Sequence, residues 1–208
     1  MKRIVAIVPW LSLAVLASGC AETANPEQAK AVAEIAKLRG TVTIDRKSPD
    51  KPVIGVTLSY SEVSDSDLQH LEGLPGLQVL NLSHTHVGNE GLEHLKGVTK
   101  LQSLDLQGTK VTAVGLERLQ GLTNLHTLKM SHTNVGDAEL ERLKRMPGLK
   151  SLDLSYTAVT DAGLEHLKGL ANLQTLSLAG AKVGRDGVKD LQRALPSCMI
   201  TLDRSSNK

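Results

Sequence analysis

LKSLDLSYTAVTDAGLEHLKGLAN, residues 149–172, places aliphatic side chains at positions 1, 4, 6, 11, 16 and 19: Leu149, Leu152, Leu154, Val159, Leu164 and Leu167. Shifted by 24 residues in either direction, the chain repeats this pattern with hardly an exception, in six units beginning at Val53, Leu77, Leu101, Leu125, Leu149 and Leu173. In the third unit the same columns hold Leu101, Leu104, Leu106, Val111, Leu116 and Leu119. So short a unit cannot bury an apolar face alone. The self-similarity therefore predicts a solenoid in which each unit stacks on its neighbours.

The spacing predicts the shape of a unit. The opening Leu-x-x-Leu-x-Leu ends with period two, which turns Leu104 and Leu106 inward from a short strand and Ser103 and Asp105 outward. Strands of successive units then pair in parallel. Positions 16, 19 and usually 22, as in Leu164, Leu167 and Leu170, have helical spacing and predict a short helix on the opposite side. Thr112 and Thr160 are placed to cap these helices, Asp161 to favour the helix dipole, and Gly88, Gly136 and Gly184 to replace Thr as weaker caps.

These columns over residues 53–196 resemble the leucine-rich repeat family, in the short form L-x-x-L-x-L-x-x-T-x-V-x-D-x-G-L-x-x-L of many secreted bacterial repeat proteins. The pattern is related to ribonuclease-inhibitor-like and F-box-associated repeats. The resemblance implies an α/β fold: a right-handed, horseshoe-shaped solenoid with a parallel concave sheet and short convex helices. It also implies a binding scaffold. The family usually carries Asn or Cys at position 9, whereas this chain has Ser61, Thr85, Thr109, Thr133, Thr157 and Ala181. A hydroxyl can donate one bond and accept others, so a threonine ladder is expected there, ending at Ala181.

Four regions follow: a leader at 1–20, an N-terminal cap at 21–52, the repeats at 53–196, and a C-terminal cap strand and tail at 197–208. In the first cap, Asn25 and Pro26 open a helix whose apolar residues are Ala29, Val32, Ala33 and Ala36 and which stops at Gly40. Val42 and Ile44 supply a strand, and 47–52 is a turn-rich connector. Ile200 and Leu202 fall on positions 4 and 6 of a truncated seventh unit. About eight parallel strands are expected, in a curved sheet roughly 35 to 40 Å wide.

Residues 1–20 combine a basic start (Lys2, Arg3), an apolar run from Ile4 to Leu16, and Ala17, Ser18 and Gly19 ahead of Cys20. The run is too short for a bilayer span of roughly 20 residues and reads as a secretory signal. Small residues before a cysteine resemble the lipobox of bacterial lipoproteins, in which the Cys becomes the acylated first residue. The family's Leu stands three places before the Cys, where this chain has Ala17. Ordinary signal-peptidase cleavage, with Cys20 lost or left as a free thiol, is the alternative. The expected location is the bacterial cell envelope, across the inner membrane and anchored by lipid in the periplasm or on the outer surface. Cys198 is left without an intrachain partner and reads as a small packing residue.

Composition narrows the partners. Of 208 residues, 40% are hydrophobic, but there are two Tyr, one Trp and no Phe, which leaves almost no base-stacking platform. Without Lys2 and Arg3 the chain carries 22 basic and 22 acidic side chains. A neutral protein has no sequence-wide attraction to nucleic acid. Phosphate-loop, dinucleotide, hydrolase-elbow and zinc-protease motifs are absent, so no enzyme activity, cofactor, catalytic residue or metal ligand is expected. Asp65-Ser66-Asp67 starts like a calcium loop but continues with Leu68 and Gln69. His70, His94 and His166 share position 18 with Arg118 and Arg142 and read as a solvated face. Ser131, His132 and Asp153 have nothing to orient them as a triad.

The concave face remains. Position 5 runs Thr57, Asn81, Asp105, Lys129, Asp153, Ser177, Thr201, and its central charges can pair across neighbouring strands or keep an exposed sheet soluble. Position 8 holds Tyr60, His84, His132 and Tyr156. The candidate binding residues are Asn81, His84, Asp105, Lys129, His132, Asp153 and Tyr156, and the expected partner is a protein or peptide engaged by a monomer. The alternatives are an envelope scaffold that self-associates, or an inhibitor of a secreted hydrolase.

Overall fold

The computed structural model describes residues 25–202. The expected leader, the expected acylation at Cys20 and the tail from Asp203 lie outside the described residues. The opening of each unit forms a strand: β2 (Val53–Thr57), β3 (Val79–Asn81), β4 (Ser103–Asp105), β5 (Thr127–Lys129), β6 (Ser151–Asp153) and β7 (Thr175–Ser177), followed by the cap strand β8 (Met199–Thr201). They join in sequence order in one sheet. Because the period is constant the register is too: Leu80, Leu104, Leu128, Leu152, Leu176 and Ile200 lie side by side.

The first strand departs from expectation. β1 (Thr41–Ile44) runs antiparallel to β2, with Thr41 opposite Thr57. Seven strands are therefore parallel, not eight. Only residues 45–52 separate β1 from β2, whereas a parallel return needs a crossover of roughly a dozen residues or more. The cap helix α1 (Pro26–Lys37) starts as expected, with the Glu27 amide donating to Asn25 Oδ1 at 3.0 Å. Its inward face is different: Ala31 and Ile35 are buried and Val32 is half-buried, while Ala29, Ala33 and Ala36 are exposed. Small size does not by itself place Ala inside, and the longer Ile35 sets the face. The residue that ends the helix in the left-handed region is Arg39 (φ 60°). Gly40 is required for space, since a Cβ there would lie 2.6 Å from the Leu58 side chain.

On the convex side lie 3-10 turns at Asp65–Gly73 and Gly91–Leu95, then α2 (Ala113–Arg118), α3 (Asp137–Leu143), α4 (Asp161–Leu164, continued by a 3-10 turn to Leu167) and α5 (Arg185–Ala194). Either helix type turns positions 16 and 19 inward. All six aliphatic columns are buried in every unit except at Val188, which is half-buried against the core. The core is thus one continuous aliphatic column, and Cys198 belongs to it at 4% exposure. Burial pushes the Cys198 thiol up, which suppresses its nucleophilic thiolate.

The position-9 hydroxyls form a column but not a unit-to-unit ladder. Each donates to the carbonyl three residues back: Ser61 to Leu58, Thr85 to Leu82, Thr109 to Leu106, Thr133 to Met130 and Thr157 to Leu154, at 2.5 to 2.7 Å. They close the turn after each of the first five repeat strands, and the column ends at Ala181.

The links between units come from position 13. Asp65 Oδ1 accepts from the Gly88 amide (2.5 Å), Asn89 Oδ1 from Thr112 (2.9 Å), Asp137 Oδ1 from Thr160 (2.7 Å) and Asp161 Oδ1 from Gly184 (2.7 Å). Each reaches the position-12 amide of the next unit, the start of its convex helix or turn. The receiving unit makes room with Gly at position 15. A Cβ on Gly91 or Gly115 would lie 2.7 Å from the bridging oxygen, and Gly163 and Gly187 are crowded by Asp137 and Asp161 in the same way. Two units receive no bridge and cap themselves: Ser64 N–H donates to Asp67 (2.8 Å) and Gly136 N–H to Glu139 (2.9 Å). These acids and Asn89 thus do much of what Thr112, Thr160 and the glycines were expected to do. Thr112 makes no side-chain cap bond, and Thr160 makes a long one of 3.3 Å to Ala162 N–H while donating to Asp137. Gly136 and Gly184 sit at N-caps, but Gly88 precedes a turn that starts only at Gly91.

Candidate concave binding surface

The register brings the position-5 residues into one row: Asn81 beside Asp105, Asp105 beside Lys129, Lys129 beside Asp153, Asp153 beside Ser177. The expected chain of ion pairs reduces to one. Lys129 Nζ lies 3.2 Å from Asp105 Oδ2, the lysine half exposed and the aspartate largely covered. The acids and the amide also have a backbone task. Asn81 Oδ1 accepts from Ser83 N–H (2.9 Å), Asp105 Oδ1 from Gln107 N–H (3.1 Å) and Asp153 Oδ1 from Ser155 N–H (2.9 Å). Such side-chain-to-backbone bonds two residues on are the chemistry of an Asx turn. Position 5 therefore presents polar groups and also bends the chain out of the strand.

Position 8 takes the left-handed region in every unit, including those with Thr57, Lys129 or Ser177 at position 5. Tyr60 (φ 56°), His84 (56°), Gly108 (65°), His132 (55°), Tyr156 (54°) and Gly180 (69°) repeat it through all six units. Tyr60 stacks on His84 with ring centroids 4.5 Å apart and His132 on Tyr156 at 4.4 Å. Each pair ends on a glycine: a Cβ on Gly108 would lie 2.7 Å from His84 Nδ1, and one on Gly180 2.5 Å from the Tyr156 ring. Tyr60 remains 78% and Tyr156 54% exposed, so the ring edges stand clear of the sheet. His84, His132 and Tyr156 thus occupy the rim, three residues beyond the strand ends, rather than the sheet itself. Tyr60, Gly108 and Gly180 belong to the same row and were missed as site residues. Glycines sharing a column with His and Tyr were the signal that the backbone there takes a positive φ.

Toward β8 the concave face is rich in hydroxyls. Thr175 Oγ1 donates to Ser151 Oγ at 2.9 Å, and Ser155 and Ser177 hydroxyls lie 2.8 Å apart. A shallow depression of about 220 Å³ is lined by Lys129, Ser151, Asp153, Thr175, Ser177 and exposed Met199. The arrangement favours contact over catalysis. Ser131 is buried, and Asp153 Oδ1 is held by the Ser155 amide and hydroxyl rather than by His132. Among the described residues no group of three or more His, Cys, Asp or Glu is placed to hold a metal ion, and no helix is long and apolar enough to cross a membrane.

The convex column is more connected than its separate helices suggested. His94 lies 2.7 Å from Glu72, Arg142 3.0 Å from Glu117, and Arg118 pairs with Glu93, each partner belonging to the preceding unit. These side chains are committed to one another.

A family model described as Leucine Rich repeat matches residues 75–96, 99–119 and 147–168. No curated protein matches the chain. Among solved structures, the chain is similar to internalin C2 of Listeria monocytogenes (18% identity, TM-score 0.54), covering 88% of this chain and 87% of that one. It is also similar to Listeria monocytogenes internalin F (21%, TM-score 0.53; 91% and 59%) and to a Leptospira interrogans leucine-rich-repeat protein (22%, TM-score 0.51; 64% and 33%). The chain thus spans a third of the Leptospira protein and less than two thirds of internalin F. At these identities the likeness concerns the fold, an α/β solenoid with a parallel sheet. The six stacked units, three of which match the repeat model, thus make this chain similar in repeat pattern and in fold to the leucine-rich repeat proteins.

Proposed function

We propose that the chain is a non-enzymatic binding module of the bacterial cell envelope, exported by its leader, tethered by a lipid on Cys20, and binding a protein partner on its concave face. Leucine-rich-repeat domains commonly mediate protein–protein interaction and are generally non-enzymatic. The observation that carries the concave assignment is the continuous row Asn81, Asp105, Lys129 and Asp153, flanked by the exposed ring pair of His132 and Tyr156. Outward residues of adjacent strands stand ~4.8 Å apart on a rigid sheet, so one partner segment touches several units at once. Half-exposed aromatic anchors beside polar residues are the composition of a binding hot spot.

The test uses a partner captured from envelope extract by the intact chain. Lys129→Glu combined with Tyr156→Ala should weaken its binding at least tenfold while the fold is kept. Undiminished binding by that variant, with loss on mutation of Arg118 and Arg142 instead, would move the site to the convex side. Concentration-dependent self-association with no partner captured would favour an envelope scaffold. The tether has its own test: Cys20→Ser should release the protein from the detergent phase or stall its processing, and absence of fatty-acid incorporation at Cys20 would leave soluble secretion.

A further inference from the structure

The aromatic row on the concave rim is interrupted at Gly108. Tyr60 and His84 form one stacked pair and His132 and Tyr156 the next, all four with the same positive φ. Three strand spacings of ~4.8 Å separate Tyr60 from His132. The first pair occupies 4.5 Å of that span. About 10 Å is left between the His84 and His132 rings, given that strand spacing. The floor of this gap is the backbone of Gly108, over which the His84 ring already leans. On its far side His132 is exposed, and among the described residues Tyr156 is the one ring stacked on it.

We propose that this gap seats one aromatic side chain, Trp, Tyr or Phe, presented by a partner polypeptide. The inference rests on the concave-face reading and gives it a specific anchor. A flat ring with both faces covered needs about 9 Å between the centroids of its neighbours, twice the closest usual spacing of stacked rings, which the gap supplies. The chain has no further Tyr or Phe of its own, and its single Trp is Trp10 of the leader. Charge argues against a cation as the occupant: Asp105 and Lys129, three residues before Gly108 and His132, neutralise each other, and Asp105 Oδ1 is held by the Gln107 amide. A sugar would find few partners for its hydroxyls, because Ser83 and Ser131 beside the rings are buried. An aromatic ring asks for faces alone, and faces are what the gap offers.

The experiment is an NMR titration of the full chain, following the imidazole signals, with N-acetyl-tryptophanamide, N-acetyl-argininamide and N-acetylglucosamine as separate probes. The tryptophan probe should shift His84 and His132 and leave His94 and His166, on the convex side, unmoved. Gly108→His, at a φ that His84 and His132 themselves adopt, should push the His84 ring aside and fill the gap, and should weaken the tryptophan probe at least fivefold. His132→Ala removes one wall and should do the same, so the test survives if Gly108→His melts early. Equal shifts at the convex histidines, an effect untouched by both variants, or a stronger response to the arginine or sugar probe would overturn the proposal. Because no partner is involved, such a failure removes the aromatic seat while the Lys129 and Tyr156 double variant still decides the concave face.

Discussion

The contact between the fourth and fifth units and the contact between the third and fourth share the same sheet and the same aliphatic core, yet differ on the convex side. In the former, Asp137 accepts from the amide and hydroxyl of Thr160, and the Ala158 amide donates to the Val135 carbonyl at 2.9 Å. The 1/2, 2/3 and 5/6 contacts have the equivalent pairs, including backbone bonds from His86 to Val63, Lys110 to Val87 and Lys182 to Val159. At the 3/4 contact position 13 is Ala113, position 15 is Glu139, and among the described residues the Asn134 amide makes no bond to Val111. The fourth unit caps its own helix through Glu139, as the first does through Asp67. The chain is thus two runs of three units joined by core, sheet and surface ion pairs, and the interrupted aromatic row at Gly108 falls at the same join. In a solenoid each interface contributes its own nearest-neighbour term, so a bond missing at one interface is a local weakness rather than a global one.

The core makes no such distinction. Leu128→Ala beside the 3/4 contact and Leu152→Ala beside the 4/5 contact should each cost about 2 to 5 kcal/mol in chemical denaturation. Values differing by more than the spread for equivalent sites would show that packing, and not capping, separates the two contacts. Asp137→Ala should cost about 1.5 to 3 kcal/mol, because it strands the Thr160 amide and hydroxyl. The bridge should also be transplantable. Ala113→Asp alone would face the Glu139 carboxylate and should not stabilise, whereas Ala113→Asp with Glu139→Gly should gain on the order of 1 kcal/mol as the cap moves to the preceding unit. Additive effects of the two changes would break the pairing of positions 13 and 15. Thr109→Ala should cost on the order of 1 kcal/mol, the value of one turn-closing bond, without changing either contact. Smallest of all, Lys129→Glu should alter thermal stability by no more than ~1 kcal/mol, the scale of a partly exposed pair.

What was legible in the sequence is what periodicity encodes: the six buried columns, the strand register and the order of the sheet follow directly from a constant spacing of Leu and Val. The direction of β1 was set instead by the short connector 45–52, and the inward face of α1 by Ile35. The cross-unit bridges were written in two columns that must be read together, Asp or Asn at 13 and Gly at 15 of the next unit. Ala113 and Glu139 are the positions where both change. At the binding surface the row of position 5 was readable because strands stack in register. The aromatic pairs were not, because their stacking depends on a left-handed turn at position 8 that all six units share whatever stands at position 5, and only Gly108 and Gly180 in that column hinted at it.

Native-state hydrogen exchange at the position-10 amides tests the division most directly. Strong protection is expected for His86, Lys110, Ala158 and Lys182, whose amides are bonded to the preceding unit, and fast exchange for Asn134 alone among the five units that follow another repeat. Protection of Asn134 equal to that of Ala158 would mean that the third and fourth units are joined like all the others, and would contradict the division.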